Sequence, residues 1–272
     1  MPVTSDPARS DAVRAGATST DHLVFLHGFT QTHHHWHHCA DLIAERRPQP
    51  PTLAFVDLPG HGLSSDDPTG ITASGPTLIE LGGRGTYIGY SMGGRFGLSA
   101  ALANTGTVER LVLIGATAGI EDDAGRSQRR RLDGQRADRV EQVGVEAFLD
   151  EWLAAELFAN LPADRQGLEH RRRNTAGGLA HSLRTCGTGS QASLWPDLDR
   201  IKIPVLVIAG ELDTKFIEIG QRMAEALPKS TLSPIANAGH AAHTERPEAT
   251  AEAIAEWLAA TDDQVSPERA RH

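Results

Sequence analysis

The sequence predicts an α/β protein: a mostly parallel, doubly wound sheet carrying an inserted helical segment. Three observations predict it. Short runs of Val, Ile and Leu, apolar on successive residues, recur along the chain, as strands buried on both faces of a parallel sheet require. Segments of helical spacing alternate with these runs, the order that βαβ units impose. Between residues 121 and 195 the alternation stops, and only charged and amphipathic segments remain.

In chain order, the predicted strands are LVFL from Leu23, TLAFV from Thr52, TYIG from Thr86, LVLIG from Leu111 and PVLVIAG from Pro204. Helical spacing follows in Ile219, Met223, Ala226 and Leu227 after Asp213, and in Ile254, Trp257 and Leu258 after Pro247, a residue suited to the first helical turn. In the interruption, Val145, Phe148, Leu149, Trp152, Leu153 and Leu157 fit amphipathic helix. The expected organisation is a core of residues 21–120 and 196–261, with residues 121–195 as a helical lid over the carboxyl ends of the strands, where ligands bind in open α/β sheets. Residues 1–20 and 262–272 are polar and aperiodic and read as loosely ordered ends.

A chain of 272 residues with 39% hydrophobic content can bury one large core. The 26 basic and 35 acidic residues give a net charge of −9, which leaves no electrostatic footprint for nucleic acid or an anionic membrane. Cys39 and Cys186 have neither metal-ligand spacing nor the density of a disulfide scaffold, so a reducing compartment is expected. The N-terminus lacks the basic-then-apolar order of a signal peptide and no apolar run is long enough to span a bilayer, so the chain reads as cytoplasmic. Nothing in the sequence sets the oligomeric state.

Chemistry enters at Gly89-Tyr90-Ser91-Met92-Gly93, a G-x-S-x-G pattern directly after a predicted strand. Such a turn from strand to helix is tight enough to need small residues two before and two after the serine, and it lifts the hydroxyl out of the sheet edge. The alternative is a glycine-rich connection that happens to contain serine. Against that stand Asp213, after the strand PVLVIAG, and His240 in Ala238-Gly239-His240, before the last helix. A serine hydroxyl is a weak nucleophile or base until an imidazole takes its proton, and a carboxylate holds that imidazole in the useful tautomer. Ser91, Asp213 and His240 occur in the chain order of the α/β-hydrolase fold. By the same likeness, backbone N–H groups of Phe29, in the His27-Gly28-Phe29 turn, and of Met92 are candidate oxyanion-hole donors. Asp57-Leu58-Pro59-Gly60-His61-Gly62 resembles the D-x-P-G-x-G turn of that fold, with a structural role expected.

The histidines at 33, 34, 35, 37 and 38 surround Trp36 without a visible orienting carboxylate, so they read as a solvated helix face and no metal site is expected. Neither a phosphate-cradling loop nor a dinucleotide fingerprint follows a strand, so no cofactor is implied.

The combination of LHGF, DLPGHG, GYSMGGR, FLDEWLAAELFANLP and GLAHSLRTCGTGSQASLW resembles the 2-succinyl-6-hydroxy-2,4-cyclohexadiene-1-carboxylate synthases of menaquinone biosynthesis, over about Leu23 to Leu258. The elbow with Arg95, the W-x(4)-LF segment and SLR-x-x-GTGSQ are its most particular elements. The resemblance implies a lyase in which the triad acts as a base, eliminating pyruvate without metal or organic cofactor, and a small anionic metabolite as substrate. The alternative is a serine hydrolase of an ester, lactone or carbon–carbon bond in a small carboxylated metabolite; a non-catalytic scaffold is the third reading. The resemblance further implies substrate contacts at Tyr90, Arg95, Arg129, Trp152 and Arg171. For Arg95 the alternative is a surface arginine on the helix after the elbow, for Tyr90 and Trp152 it is ordinary core packing, and for Arg129, in RSQRRRLD, and Arg171, in HRRRN, it is a solvated charge run, since neighbouring arginines blur the register. Two departures stand out: Glu121, an acid after the LVLIG strand, and Glu156, where the family has proline before Leu157-Phe158.

Overall fold

A computed structural model describes residues 10–14, 21–103 and 106–264. Its strands are β1 (Ser10–Arg14), β2 (His22–Leu26), β3 (Thr52–Val56), β4 (Gly85–Tyr90), β5 (Val108–Ile114), β6 (Val205–Gly210) and β7 (Ser230–Ile235), in a seven-stranded sheet of order β1-β3-β2-β4-β5-β6-β7. All neighbours from β3 to β7 pair in parallel, and β1 alone is antiparallel. The helices are α1 (His37–Glu45), α2 (Ser74–Gly82), α3 (Met92–Ala103), α4 (Asp123–Leu153), α5 (Leu168–Arg171), α6 (Ala176–Cys186), α7 (Thr214–Ala226), α8 (Ala242–Glu245) and α9 (Pro247–Thr261).

Alternate residues of each central strand enter opposite apolar layers, which is why these strands are apolar throughout. Leu23, Phe25, Ile88, Val112 and Ile208 pack with Trp36, Ile43, Ile254 and Leu258 of the α1 and α9 side. Val24, Leu26, Tyr87, Leu111 and Val207 pack with Leu78, Phe96 and Met223 of the α2, α3 and α7 side. Between residues 121 and 195 the described structure is helical and turn-like, and α4 packs on α6 through Ala137, Val140, Phe148, Leu179 and Leu183. Asp122 caps α4 by accepting the Gly125 N–H at 2.6 Å, and Gly144, at φ 78°, interrupts the helix before its second part.

The ends differ from expectation. Residues 10–14 form edge strand β1, registered Ser10 to Val56 and Arg14 to Leu53. An edge strand is held by backbone hydrogen bonds and needs no apolar period, so its sequence carries no signal. The same reason hid β7, the opposite edge, with its exposed Thr231 and Pro234. Asp262 is also not part of a loose tail: it accepts from Arg110 Nη1 at 2.8 Å and Arg47 Nη2 at 2.9 Å. Arg110 is fully buried and also donates to Asp21, Thr86 and the Leu258 carbonyl, tying β5 to the end of α9. The expectations for residues 1–9, 15–20 and 265–272 lie outside the described residues.

The chain's direction of winding reverses between β2 and β4, which are hydrogen-bonded neighbours with Leu26 opposite Gly89. Their carboxyl ends therefore open side by side at the point where a crevice is available for a ligand.

Candidate active site

Ser91 follows β4 with φ 50°, a left-handed conformation uncommon for any residue but glycine. It is held there by its own N–H, which donates to the Ile114 carbonyl at 2.8 Å, and by close backbone packing. A methyl group on Gly89 would lie 2.5 Å from the Gly93 carbonyl carbon, and one on Gly93 would run into the Leu26 carbonyl. Both glycines of the pattern are thus required by backbone approach.

His240 Nε2 lies 3.2 Å from Ser91 Oγ, and His240 Nδ1 lies 2.8 Å from Asp213 Oδ2. Asp213 comes from the end of β6, where it also caps α7 by accepting the Phe216 N–H at 3.3 Å. His240 comes from the loop after β7. Its imidazole is buried between Tyr90, at 5.4 Å between ring centres, and Phe216, at 4.4 Å. Glu245, 1% exposed, accepts the Gly239 N–H at 2.5 Å and the Ala241 N–H at 2.9 Å, so one buried carboxylate clasps the peptide groups on both sides of His240. Sequence reading missed this residue; a buried acid five positions after the histidine was its only trace.

The turn after β2 carries Phe29 and is laced to the DLPGHG turn. The Leu58 N–H donates to His27 Nε2 at 3.0 Å, and the Thr30 N–H donates to His61 Nε2 at 3.1 Å. Burial holds His61 far below the usual histidine range, at about 3, so its ring stays neutral and free to accept. Thr30 has φ 66°, a second strained residue of this site. The Phe29 ring meets Trp152 edge-on at 5.1 Å and Phe148 at 6.4 Å, joining the turn to α4.

A cavity of about 290 Å³ opens over Ser91 and His240, walled by Phe29, Tyr90, Met92 and Trp152 and by the cations Arg95, Arg129 and Lys215. Arg95 is buried and donates to the Cys186 carbonyl at 2.7 Å and Gln191 Oε1 at 2.9 Å; burial lowers its pKa to about 10. Two stretches that stood out in the sequence, the elbow arginine and GTGSQ, therefore touch. Arg129 Nε pairs with both oxygens of buried Asp133, at 2.8 and 3.0 Å. Lys215, in the first turn of α7, was not foreseen; its place two residues after Asp213 is the signal that could have found it.

Arg171 differs from expectation. It is 2% exposed and does not line the cavity. Its Nε donates to the Gln166 carbonyl at 2.7 Å, and its Nη1 to the Thr30 hydroxyl. It thus braces the strained residue after Phe29 from behind the cavity wall. Glu121 does not face the cavity either: it turns outward and takes both terminal nitrogens of Arg222, at 2.6 and 2.8 Å, while Thr117 and Ile120 of the same loop line the wall. Glu156 sits exposed in a short turn, Glu156–Phe158, whose Leu157 and Phe158 reach the cavity. The solvated-face reading of the histidine run fails at His33, which is buried and bonded to Asp57 through Nδ1 at 2.8 Å; the fold brings in a carboxylate from 24 residues away.

No helix among the described residues is long and apolar enough to cross a membrane. Residues 23–253 match the model of the alpha/beta hydrolase family. The 2-succinyl-6-hydroxy-2,4-cyclohexadiene-1-carboxylate synthase of Klebsiella pneumoniae is 33% identical over 92% of this chain and 98% of its own length. The structure of MenH from S. aureus superposes with a TM-score of 0.81 at 32% identity, over 91% of this chain and 97% of that one. An enol-lactonase from Burkholderia xenovorans LB400, 21% identical with a TM-score of 0.71 over 92% of this chain and 95% of its own, shares the fold.

Proposed function

The chain belongs to the alpha/beta hydrolase family and, within it, to the 2-succinyl-6-hydroxy-2,4-cyclohexadiene-1-carboxylate synthases, and on that premise we propose that it eliminates pyruvate from 2-succinyl-5-enolpyruvyl-6-hydroxy-3-cyclohexene-1-carboxylate, with Ser91, His240 and Asp213 as its base. The observation that carries this reading is the hydrogen-bonded series from Asp213 through His240 to Ser91, opening into a cavity walled by three cations. An anionic substrate leaves water only where its carboxylates meet cations or donors, and Arg95, Arg129 and Lys215 meet that need.

In this reading Ser91 passes its proton to His240 Nε2 and removes the proton from the ring carbon beside the succinyl ketone. The C–H electron pair moves onto the ketone oxygen, giving an enolate to which the N–H groups of Phe29 and Met92 donate. As the enolate collapses, electrons move through the ring double bond and break the C–O bond to the enolpyruvyl group. The departing enolpyruvate takes the proton held by His240 and becomes pyruvate, leaving the conjugated diene. Asp213 steadies the transient imidazolium without itself taking a proton.

The test offers purified protein the enolpyruvyl precursor and, in parallel, activated esters with a serine-directed phosphonate. Pyruvate release with no acyl-enzyme burst is expected, and Ser91→Ala and His240→Ala should each lower kcat by about 10²–10⁴-fold. A burst on esters with no pyruvate would make it a serine hydrolase. Silence in both, with Ser91 unlabelled, would leave a binding scaffold.

A further inference from the structure

Outside the cavity, the run of histidines that begins after the β2 turn folds into a cluster with its own geometry. We propose that His33, His34 and His37 form a three-imidazole site for a divalent first-row transition cation of the zinc class. One ring nitrogen from each lies within 4.8 Å of the other two. The three residues sit where a 3-10 turn, His33–Trp36, runs into α1, so that two adjacent side chains and one a turn later share a face. None of them lines the cavity over Ser91.

The second observation is the support behind the cluster. Asp57 Oδ2 lies 2.8 Å from His33 Nδ1, and Asp57 Oδ1 accepts the His33 backbone N–H at 2.8 Å. This fixes both the ring and its tautomer and directs Nε2 to the ligand position. A carboxylate behind a histidine is the recurrent support of metal-binding imidazoles, which it orients and makes more basic. Asp57 is itself anchored by the Leu63 N–H at 2.9 Å. An all-imidazole set suits zinc, nickel or copper rather than the oxygen-seeking magnesium or calcium.

Neutral imidazoles are the binding form. Arg173 is the cation facing the site: its Nη1 lies 3.0 Å from His34 Nε2, while its Nη2 donates to Glu169 at 3.3 Å. Its side chain is about half exposed, so it can turn toward Glu169 and water when a metal enters. His170 stacks on His34 at 4.3 Å between ring centres. Bonds of about 2.0–2.1 Å to zinc require the three nitrogens to draw closer than they stand. His34 and His37 are partly exposed and can rotate inward onto the fixed His33.

The experiment titrates the chain, free of any histidine tag, with zinc chloride by calorimetry, and with cobalt chloride by visible absorption. One equivalent of zinc bound with micromolar affinity is expected, with cobalt bands of a nitrogen-ligated, low-coordinate site. His34→Ala and His37→Ala should each weaken zinc binding by about tenfold or more. No zinc uptake by the parent chain, or variants that bind as tightly as the parent, would overturn the proposal. The cobalt spectrum serves as the readout independent of variants: a purely octahedral, water-like spectrum would equally overturn it.

Discussion

Glu245 offers the sharpest separation of catalysis from scaffold. Its carboxylate accepts the N–H groups of Gly239 and Ala241, the peptides on either side of His240, in a site from which water is excluded. Glu245→Gln conserves volume but turns one acceptor oxygen into an NH₂ group facing a backbone donor. One charge-assisted bond is lost, the other becomes neutral, and a buried N–H is orphaned, for a cost of about 2–4 kcal/mol. For a chain of this size that lowers Tm by about 4–7 °C. The loop carrying His240 must shift to part the two donors, and misplacement of a catalytic group by an ångström is worth up to about 10²-fold in rate. The expected outcome, read by thermal unfolding and by pyruvate release at a temperature where the variant is fully folded, is a kcat reduced by about 10–100-fold with KM little changed. A variant with the lowered Tm but parental kcat would show that Glu245 holds the fold and does not position the imidazole; unchanged Tm and kcat would refute the clasp altogether.

Three further outcomes are expected. Gly115, at φ 54°, has its missing Cβ position 3.1 Å from His240 Cε1 and 3.0 Å from the His240 carbonyl, so Gly115→Ala should strain the backbone by about 1–2 kcal/mol and lower kcat more than it raises KM. Parental kinetics in that variant would show that the imidazole has room to spare. Arg129→Met should raise KM for the anionic precursor by about 10–100-fold, the worth of one charge-assisted hydrogen bond, and initial rates that stay parental across substrate concentrations would remove Arg129 from the binding wall. Burial holds His61 and His243 at about 3 when folded, against 6.5 unfolded, so the unfolded chain binds more protons below pH 6.5 and stability falls on acidification toward pH 3. The two together cost about 4 kcal/mol between pH 7 and pH 5, to be read as a falling urea midpoint; a midpoint that is flat or rises over that range would contradict the sign.

What the sequence determined by itself is local. The glycines flanking Ser91 are dictated by backbone atoms within a few residues or on the adjoining strand, so the elbow is written in five consecutive positions. The central strands are legible because burial on both faces demands apolar side chains at every position. Ser91 and Asp213 each stand just past a strand that the sequence shows, whereas His240 was legible only from its place before the last helix. The edges β1 and β7 were not legible, because an edge is specified by backbone pairing, and in β7 Thr231 and Pro234 face water. Tertiary structure alone decided which arginines meet the cavity. Arg95 is oriented by Gln191, 96 residues away, and Arg171 is drawn behind the wall to Thr30, 141 residues away. It also turned Glu121 outward to Arg222 and gave His33 its carboxylate. Sheet register and lid docking create those partnerships between distant residues, and a one-dimensional pattern records no distance across the fold.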